Sequence, residues 1–319
     1  MHAIRRPRGL PARDGRRPHR PAIASKAFFI VNPAAGGGRA SRVWLAAKDR
    51  FARLGLRFEF RETTRRGEAT DLARQASRDG WPLVVAVGGD GTVNEVVNGL
   101  MSAGALVTLG VLNAGRANDC RRNFGLPSRF PLALERLLAG REVPIDVGLA
   151  EWPDGRHRHF LMSLGAGFDA ATAERAERAR GSGKAPYVRA ILSTLRVHRP
   201  SPATILVDGR CHWSGAITQA VVSNGPYYGQ GMKIAPTADP YDGVLDLIVI
   251  GDLGRMELLR WLPTVYRGRH LANPKITTAR GATIDIEAQT PLPLHVDGEP
   301  CGKTPVRVSV LPSALRLRV

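Results

Sequence analysis

The sequence predicts an α/β chain in two parts: a doubly wound, mostly parallel sheet covered by helices, then an antiparallel, β-rich region. Three observations carry this. Between residues 26 and 112 short apolar runs alternate with amphipathic runs in β-α-β-α-β order, each apolar run being short enough for a strand. Three of these runs end in glycine-rich turns, at 32–38, 88–92 and 113–119. After residue 160 the apolar runs are separated by Gly, Pro, Asn and Asp, the punctuation of antiparallel sheet.

Taken in order, residues 1–25 are crowded with Arg and Pro and read as a disordered basic tail, with no apolar stretch that would serve as a secretory signal. Lys26–Val31 reads as a buried strand, Ser41–Leu54 as an amphipathic helix, Arg57–Arg61 as a strand and Gly67–Asp79 as a helix. Val84–Val87 is a β-branched run suited to a strand covered on both faces, leading into Gly88-Gly89-Asp90-Gly91-Thr92. Thr92 and Glu95 have the spacing of a capping box, so a helix is expected to start there and to aim free N–H groups at an anion. Val107–Leu112 is the next strand. Three glycine turns at one sheet edge favour a phosphate site, with the carboxylate of Asp90 at its mouth expected to hold a magnesium ion; the alternative is a tight strand-to-helix turn with a solvated Asp. In the second half, Phe160–Leu164, Thr204–Val207, Ile217–Ser223, Val244–Ile250, Thr283–Ala288 and Val306–Val310 read as strands. Ala170–Arg180 and Tyr187–His198 read as helices. The expected division is a tail over 1–25, an α/β unit over 26–148, a β-rich unit over 149–312, and a terminal segment, 313–319, returning to the first unit.

Composition narrows the function. The chain has 319 residues, 43% hydrophobic content and no apolar run near the 18 residues that a membrane helix needs. A net charge of +18 implies an anionic partner, and arginine-rich composition alone gives a basic surface as well. Cys120, Cys211 and Cys301 form no C-x-x-C pair, which fits a reducing cytoplasm and gives no cysteine zinc site. Two motifs mislead. Gly165-Ala-Gly-Phe-Asp-Ala170 matches the dinucleotide fingerprint, but no acidic residue follows between Lys184 and Val207 to take a ribose; Gly302-Lys-Thr304 lacks the first P-loop glycine, position 297 being Asp.

Asn32-Pro33 with its glycines, Gly88-Gly-Asp-Gly-Thr92 and Gly115-x-Ala-Asn-Asp119 resemble the nucleotide motifs of the diacylglycerol and sphingosine kinase-like lipid kinases. Gly167-Phe-Asp-Ala170, the run from Gly231 to Asp246, and Val296-Asp-Gly-Glu299 continue the resemblance in the family's order. It implies a nucleotide-binding domain of the NAD kinase and diacylglycerol kinase type, a β-rich lipid domain, and an active site in the cleft between them. It implies ATP as phosphate donor, contacted by Asn32, Pro33, Thr63, Gly88, Gly89, Asp90, Gly91, Thr92, Asn94, Glu95, Gly115, Arg116, Asn118 and Glu299. Asp297 would be the general base toward the lipid hydroxyl, and Asp90, Asp119 and Asp146 would organise catalytic Mg²⁺. Asp239 and Asp242, with the carbonyl of Val244, would hold a structural Mg²⁺. By spacing alone, Asp297-Gly298 is an ordinary hairpin turn. The chain departs from the family pattern at Asn113, Arg116, Cys120 and Gln230, and Arg116 is expected either to contact phosphate or to pair with Asp119. The implied partners are a lipid substrate and the anionic inner face of a membrane, with no nucleic acid expected and a homodimer left open. Two rivals stand beside a lipid kinase: a soluble-substrate kinase of the NAD kinase type, and a non-enzymatic basic protein binding membrane or nucleic acid.

Overall fold

The computed structural model describes residues 26–53, 56–104, 107–178 and 185–319; the expected tail over 1–25 and the helix ends at Leu54 and Arg180 lie outside them. The first layer is built from β1 (Lys26–Val31), α1 (Ala35–Arg53), β2 (Arg57–Glu62), α2 (Glu68–Arg78), β3 (Leu83–Gly88), α3 (Asp90–Ser102) and β4 (Thr108–Asn113). Its strands are parallel in the order β2-β1-β3-β4. The order reverses between β1 and β3, so the carboxyl ends of these two strands open a crevice, the usual ligand position in such sheets. Helices cover both faces. Phe29, Trp44 and Phe51 fill one side, and Ile30, Ala73, Val96 and Leu100 the other.

The short α4 (Asp119–Asn123) and α5 (Phe130–Ala139) lead to β5 (Glu142–Glu151), β6 (His157–Phe160) and β7 (Ser163–Gly167). Then follow α6 (Phe168–Arg178), α7 (Ala185–Val197), β8 (Ser201–Val207), β9 (Arg210–Ser223), β10 (Leu245–Gly251), α8 (Arg255–Val265), β11 (Ile276–Gly281), β12 (Thr283–Ala288), β13 (Pro293–Val296), β14 (Glu299–Lys303) and β15 (Val306–Arg318). Within the second half, strand pairs from β7 to β14 are antiparallel, and their inner faces enclose a core of Phe160, Leu164, Ile205, Val222, Leu247, Ile286 and Val308.

β15 belongs to both halves. Val306–Ser309 pair with β12, the whole strand runs antiparallel to β5, and Arg316 and Leu317 pair in parallel with Thr108 and Leu109 of β4. The register shifts between Leu311 and Leu315, where Ser313 takes a φ of 51° and lets the ribbon turn from one half of the continuous sheet into the other.

Several expected elements are corrected. α3 starts at Asp90 with Gly89 as its cap and no side-chain capping bond, so Thr92 and Glu95 form no capping box. Both side chains have other partners: Thr92 Oγ1 accepts from Asn32 Nδ2 at 3.1 Å, and Glu95 Oε2 accepts the N–H of Ala69. Gly36, Gly37 and Gly38 have φ of 64°, 70° and 85°, so the first glycine turn is left-handed and the regular part of α1 follows it. The single strand expected over Phe160–Leu164 is two, because the backbone breaks at Leu161 and Met162, whose N–H groups serve another purpose. α5, α8 and β11 were not read from the sequence.

Leu317, fully buried between the first sheet and its helices, tests the bridging strand. Leu317→Ala should cost about 2–5 kcal/mol and lower the denaturation midpoint of the whole chain in one transition, measured by urea unfolding with far-UV and tryptophan signals.

Candidate active site

The crevice above β1 and β3 deepens into a cleft of about 490 Å³. Its walls are the three glycine turns, through Asn32, Gly36, Gly89, Asp90, Gly91, Thr92, Gly115 and Arg116, and, from the second half, Tyr228, Gln230, Asp297, Gly298 and Glu299. The turns touch. A Cβ on Gly115 would lie 2.5 Å from the Cα of Gly89, and Ala114 donates its N–H to Gly88 O at 2.7 Å. The first turn of α3 therefore opens onto the cleft with its N–H groups and positive dipole end, which suits a phosphate. Beside it a smaller pocket is lined by Asn32, Thr63, Thr64, Arg66, Thr92, Glu95 and Glu299. There the Thr64 hydroxyl is bound to Glu68 at 2.9 Å, while the Thr63 hydroxyl reaches only Val31 O at 3.4 Å.

Carboxylates crowd the cleft. Asp90 accepts the N–H groups of Asp119 and Cys120, at 3.1 and 3.0 Å. Burial, helped by the charges of Asp119 and Asp297, pushes its carboxyl up to about 6. Asp119 is buried, pairs with Arg122 at 2.6 Å and accepts the N–H of Gln230 at 2.7 Å; burial raises its carboxyl. Its cationic partner is thus Arg122, one helical turn on, and Arg116 stands exposed on the cleft wall with no ion pair among the described residues.

Asp297 sits at φ 49° and Gly298 at 85°, the two-residue turn joining β13 to β14, so hairpin and site are the same object. Its Oδ1 accepts the N–H groups of Met162 and Ser163, at 2.9 and 3.0 Å; its Oδ2 accepts those of Leu161 and the Asn94 amide, at 3.1 and 2.9 Å. This is why the strand breaks after Phe160: three consecutive N–H groups leave the sheet to bind one carboxylate. Burial raises the Asp297 carboxyl, opposed by these donors.

The structure separates some residues from the cleft. Asn94, expected at the nucleotide, is 1% exposed and does not line the cleft; it donates to Asp297 and to His159 O and accepts from Arg158. Asp146 is equally buried and does not line the cleft, its oxygens accepting the N–H groups of Gly243 and Ser313, both at 2.7 Å. It is a holder of the 239–244 turn. In that turn Asp242 is paired with Arg280 and accepts the N–H of Val244, and Asp239 accepts that of Tyr241. Burial and the neighbouring Asp242 raise the Asp239 carboxyl. Among the described residues no three His, Cys, Asp or Glu are arranged as a metal cage. Asn118, at φ 54°, caps α4, and its Oδ1 is buried with no hydrogen-bond partner among the described residues. Pro33 lies beside the first turn without lining the cleft.

Sequence reasoning missed three residues here. Arg158 bonds both Asn94, at 2.8 Å, and Glu299, at 2.5 Å. Arg66 joins Glu299 to Glu177 of α6. Tyr228 lines both this cleft and the pocket behind it. None lies in a motif with a local signature.

The four donors on Asp297 predict a stability effect. Asp297→Asn would turn an NH₂ toward at least one backbone N–H, since only the Asn94 amide can rotate to adapt. The variant should lose about 1–3 kcal/mol, seen as a lower Tm by calorimetry, beyond any loss of activity.

Comparison with known proteins agrees with this geometry. Residues 26–150 match the diacylglycerol kinase catalytic domain, and residues 162–319 the YegS C-terminal NAD kinase beta sandwich-like domain. A diacylglycerol kinase of Mycobacterium tuberculosis is 32% identical over 297 residues, covering 92% of this chain and 94% of that protein. The solved structure of a putative diacylglycerol kinase from Bacillus anthracis aligns with a TM-score of 0.74 at 26% identity, over 92% of this chain and 97% of that one. An NAD kinase from Archaeoglobus fulgidus shares the fold, with a TM-score of 0.50 at 14% identity over 92% and 93% of the two chains. Glycine turns, clustered carboxylates and a relative that similar over nearly its full length place the chain in the family of lipid kinases built on the diacylglycerol kinase catalytic domain.

Proposed function

We propose that the protein transfers the γ-phosphate of ATP to a hydroxyl of a diacylglycerol-like lipid held at a membrane surface. The observation that carries this is that three neighbouring spaces share lining residues. The phosphate cleft shares Tyr228, Gly229, Gly298 and Glu299 with a second pocket of about 360 Å³, lined also by Asp169, Ala173, Ala176 and His295. Asp169 and Tyr228 in turn also line a mostly apolar cavity of about 50 Å³ between Phe168, Ile191, Ile250, Leu258, Trp261 and Val265. A donor nucleotide, a reacting hydroxyl and an apolar body would be accommodated in that order. The cavity holds an acyl chain only when α7 and α8, which supply its outer wall, move apart. A dinucleotide acceptor, the substrate of the rival kinase class, has no use for such a wall.

The chain's own groups divide the work. Gly89 to Thr92 and Arg116 would hold the phosphates, Arg116 as the exposed cation of the cleft wall. Asp297 takes the hydroxyl proton, being the carboxylate next to Gly298 and Glu299, which line both cleft and acceptor pocket; it yields the Asn94 bond to do so. Asp90 and Asp119 suit a magnesium ion, since both carboxyls are raised by desolvation, that of Asp90 also by the charge of Asp119, and so gain from a hard cation; such an ion takes one or two carboxylates plus phosphate oxygens. When bound, that ion would neutralise charge on the phosphates.

The membrane reading rests on surface chemistry. α7 exposes Val188, Leu192 and Val197, and α8 exposes Met256 and Leu259, on the helices that wall the apolar cavity. Arg196, Arg255 and Arg260 lie on the same two helices. No helix among the described residues is long and apolar enough to cross a bilayer, so contact would be peripheral.

Labelled ATP offered to a panel of diacylglycerol, sphingoid base, ceramide, phosphatidylglycerol and NAD is the direct test. Phosphorylation of a lipid hydroxyl, lost about 100-fold or more in Asp297→Asn, is expected; transfer to NAD and no lipid overturns the proposal. Turnover on anionic vesicles should fall with added salt, each basic side chain near the surface contributing about 1 kcal/mol. Turnover on a short-chain lipid in neutral detergent should depend on salt much less.

A further inference from the structure

Asp297 and the acceptor pocket are joined by a residue to which no role has yet been given. His295 of β13 is 2% exposed, and both ring nitrogens are committed. Its Nδ1 accepts the N–H of Gly298 at 3.2 Å, so the ring proton sits on Nε2, which lies 3.1 Å from Asp169 Oδ2 and donates to it. The ring stacks on Tyr228 at 6.0 Å between centroids and 14° between planes.

The surroundings are shaped for this pair. A Cβ on Gly165 would lie 2.2 Å from Asp169 Oδ2 and 2.3 Å from His295 Nε2, so β7 leaves room there for a side-chain contact that any other residue would block. Asp169 uses its other oxygen to accept the N–H of Ala170 at 2.8 Å. Two donors fix its carboxylate, and the remaining lone pairs belong to a group lining both the acceptor pocket and the apolar cavity.

We infer that His295 is a positioning residue: one nitrogen sets the Asp169 carboxylate against the acceptor, the other pins the turn that presents Asp297. This rests on the lipid kinase reading above and deepens it. The distance between the group that orients the lipid and the group that takes its proton is thereby set by one rigid ring. An imidazole does this where an amide or a phenyl cannot, because it combines a donor and an acceptor on opposite sides of a planar body that also stacks.

The test compares His295→Phe, which keeps the ring and its stacking on Tyr228 but loses both hydrogen bonds, with His295→Gln, which keeps a donor for Asp169. His295→Phe should lower kcat/KM for the lipid acceptor about tenfold or more, leave the KM for ATP within about twofold, and keep a cooperative unfolding transition. His295→Gln should recover part of the loss. Asp169→Asn should also be impaired, and the double variant His295→Phe with Asp169→Asn should be no worse than the poorer single one, since both act through one contact. Nitrogen NMR of the parent imidazole should report the Nε2–H tautomer. Fully additive losses, an effect confined to ATP or to Tm, or the opposite tautomer would each overturn the inference while leaving the lipid kinase reading intact. A parent enzyme that phosphorylates no lipid would remove that reading, and this inference with it.

Discussion

A carboxylate has about four acceptor sites, and Asp297 has all of them filled from inside the protein: three backbone N–H groups of residues 161–163 and the amide of Asn94. Asn94 belongs to the helix that opens the phosphate cleft, and the three N–H groups belong to the turn entering the second core. Buried charge is tolerated only when it is bonded in this way. The carboxylate therefore fixes how α3, the β6–β7 break and the β13–β14 hairpin meet, and the cleft exists because they meet there. Arg158 extends the same arrangement, holding Asn94 from the other side and tying it to Glu299.

The first half of the fold was legible because its signals are local. A buried β-branched run such as Val84–Val87 followed by Gly88-Gly89 has few conformations open to it, and the order of elements fixes the crevice. Asp90, Asp119 and Asp297 were legible as candidate site residues through motif resemblance, and all three line one cleft. Their partners were not. Arg122, Arg158 and Arg66 come from unrelated segments, and nothing in a basic sequence distinguishes a cleft arginine from a solvated one. The strand break after Phe160 was invisible for a related reason: its cause, Asp297, lies about 135 residues away in sequence. Thr92 and Glu95 show the reverse failure, a correct local spacing overridden because Asn32 and Ala69 supplied other partners.

A second group of acidic side chains plays a mechanical part. Asp146 grips the 239–244 turn and the bend of β15 at Ser313 together, while Arg280 of β11 draws on Asp242 and Asp246. These contacts lie where the two sheets join, so the acidic turn that sequence resemblance assigns to a metal also sits at a joint between the halves.

The bridging strand has a consequence for how the chain is made. Arg316 and Leu317 complete the first sheet beside β4, although more than 200 residues separate them in sequence. A nascent chain emerging from the ribosome would thus present β1 to β4 long before the strand that shields the β4 edge has been synthesised. That edge is a parallel, apolar one, the kind most open to pairing with other chains. Neither half can close early. The first sheet gains this strand only once β15 has been made, and the period of exposure lengthens with every residue of the second half.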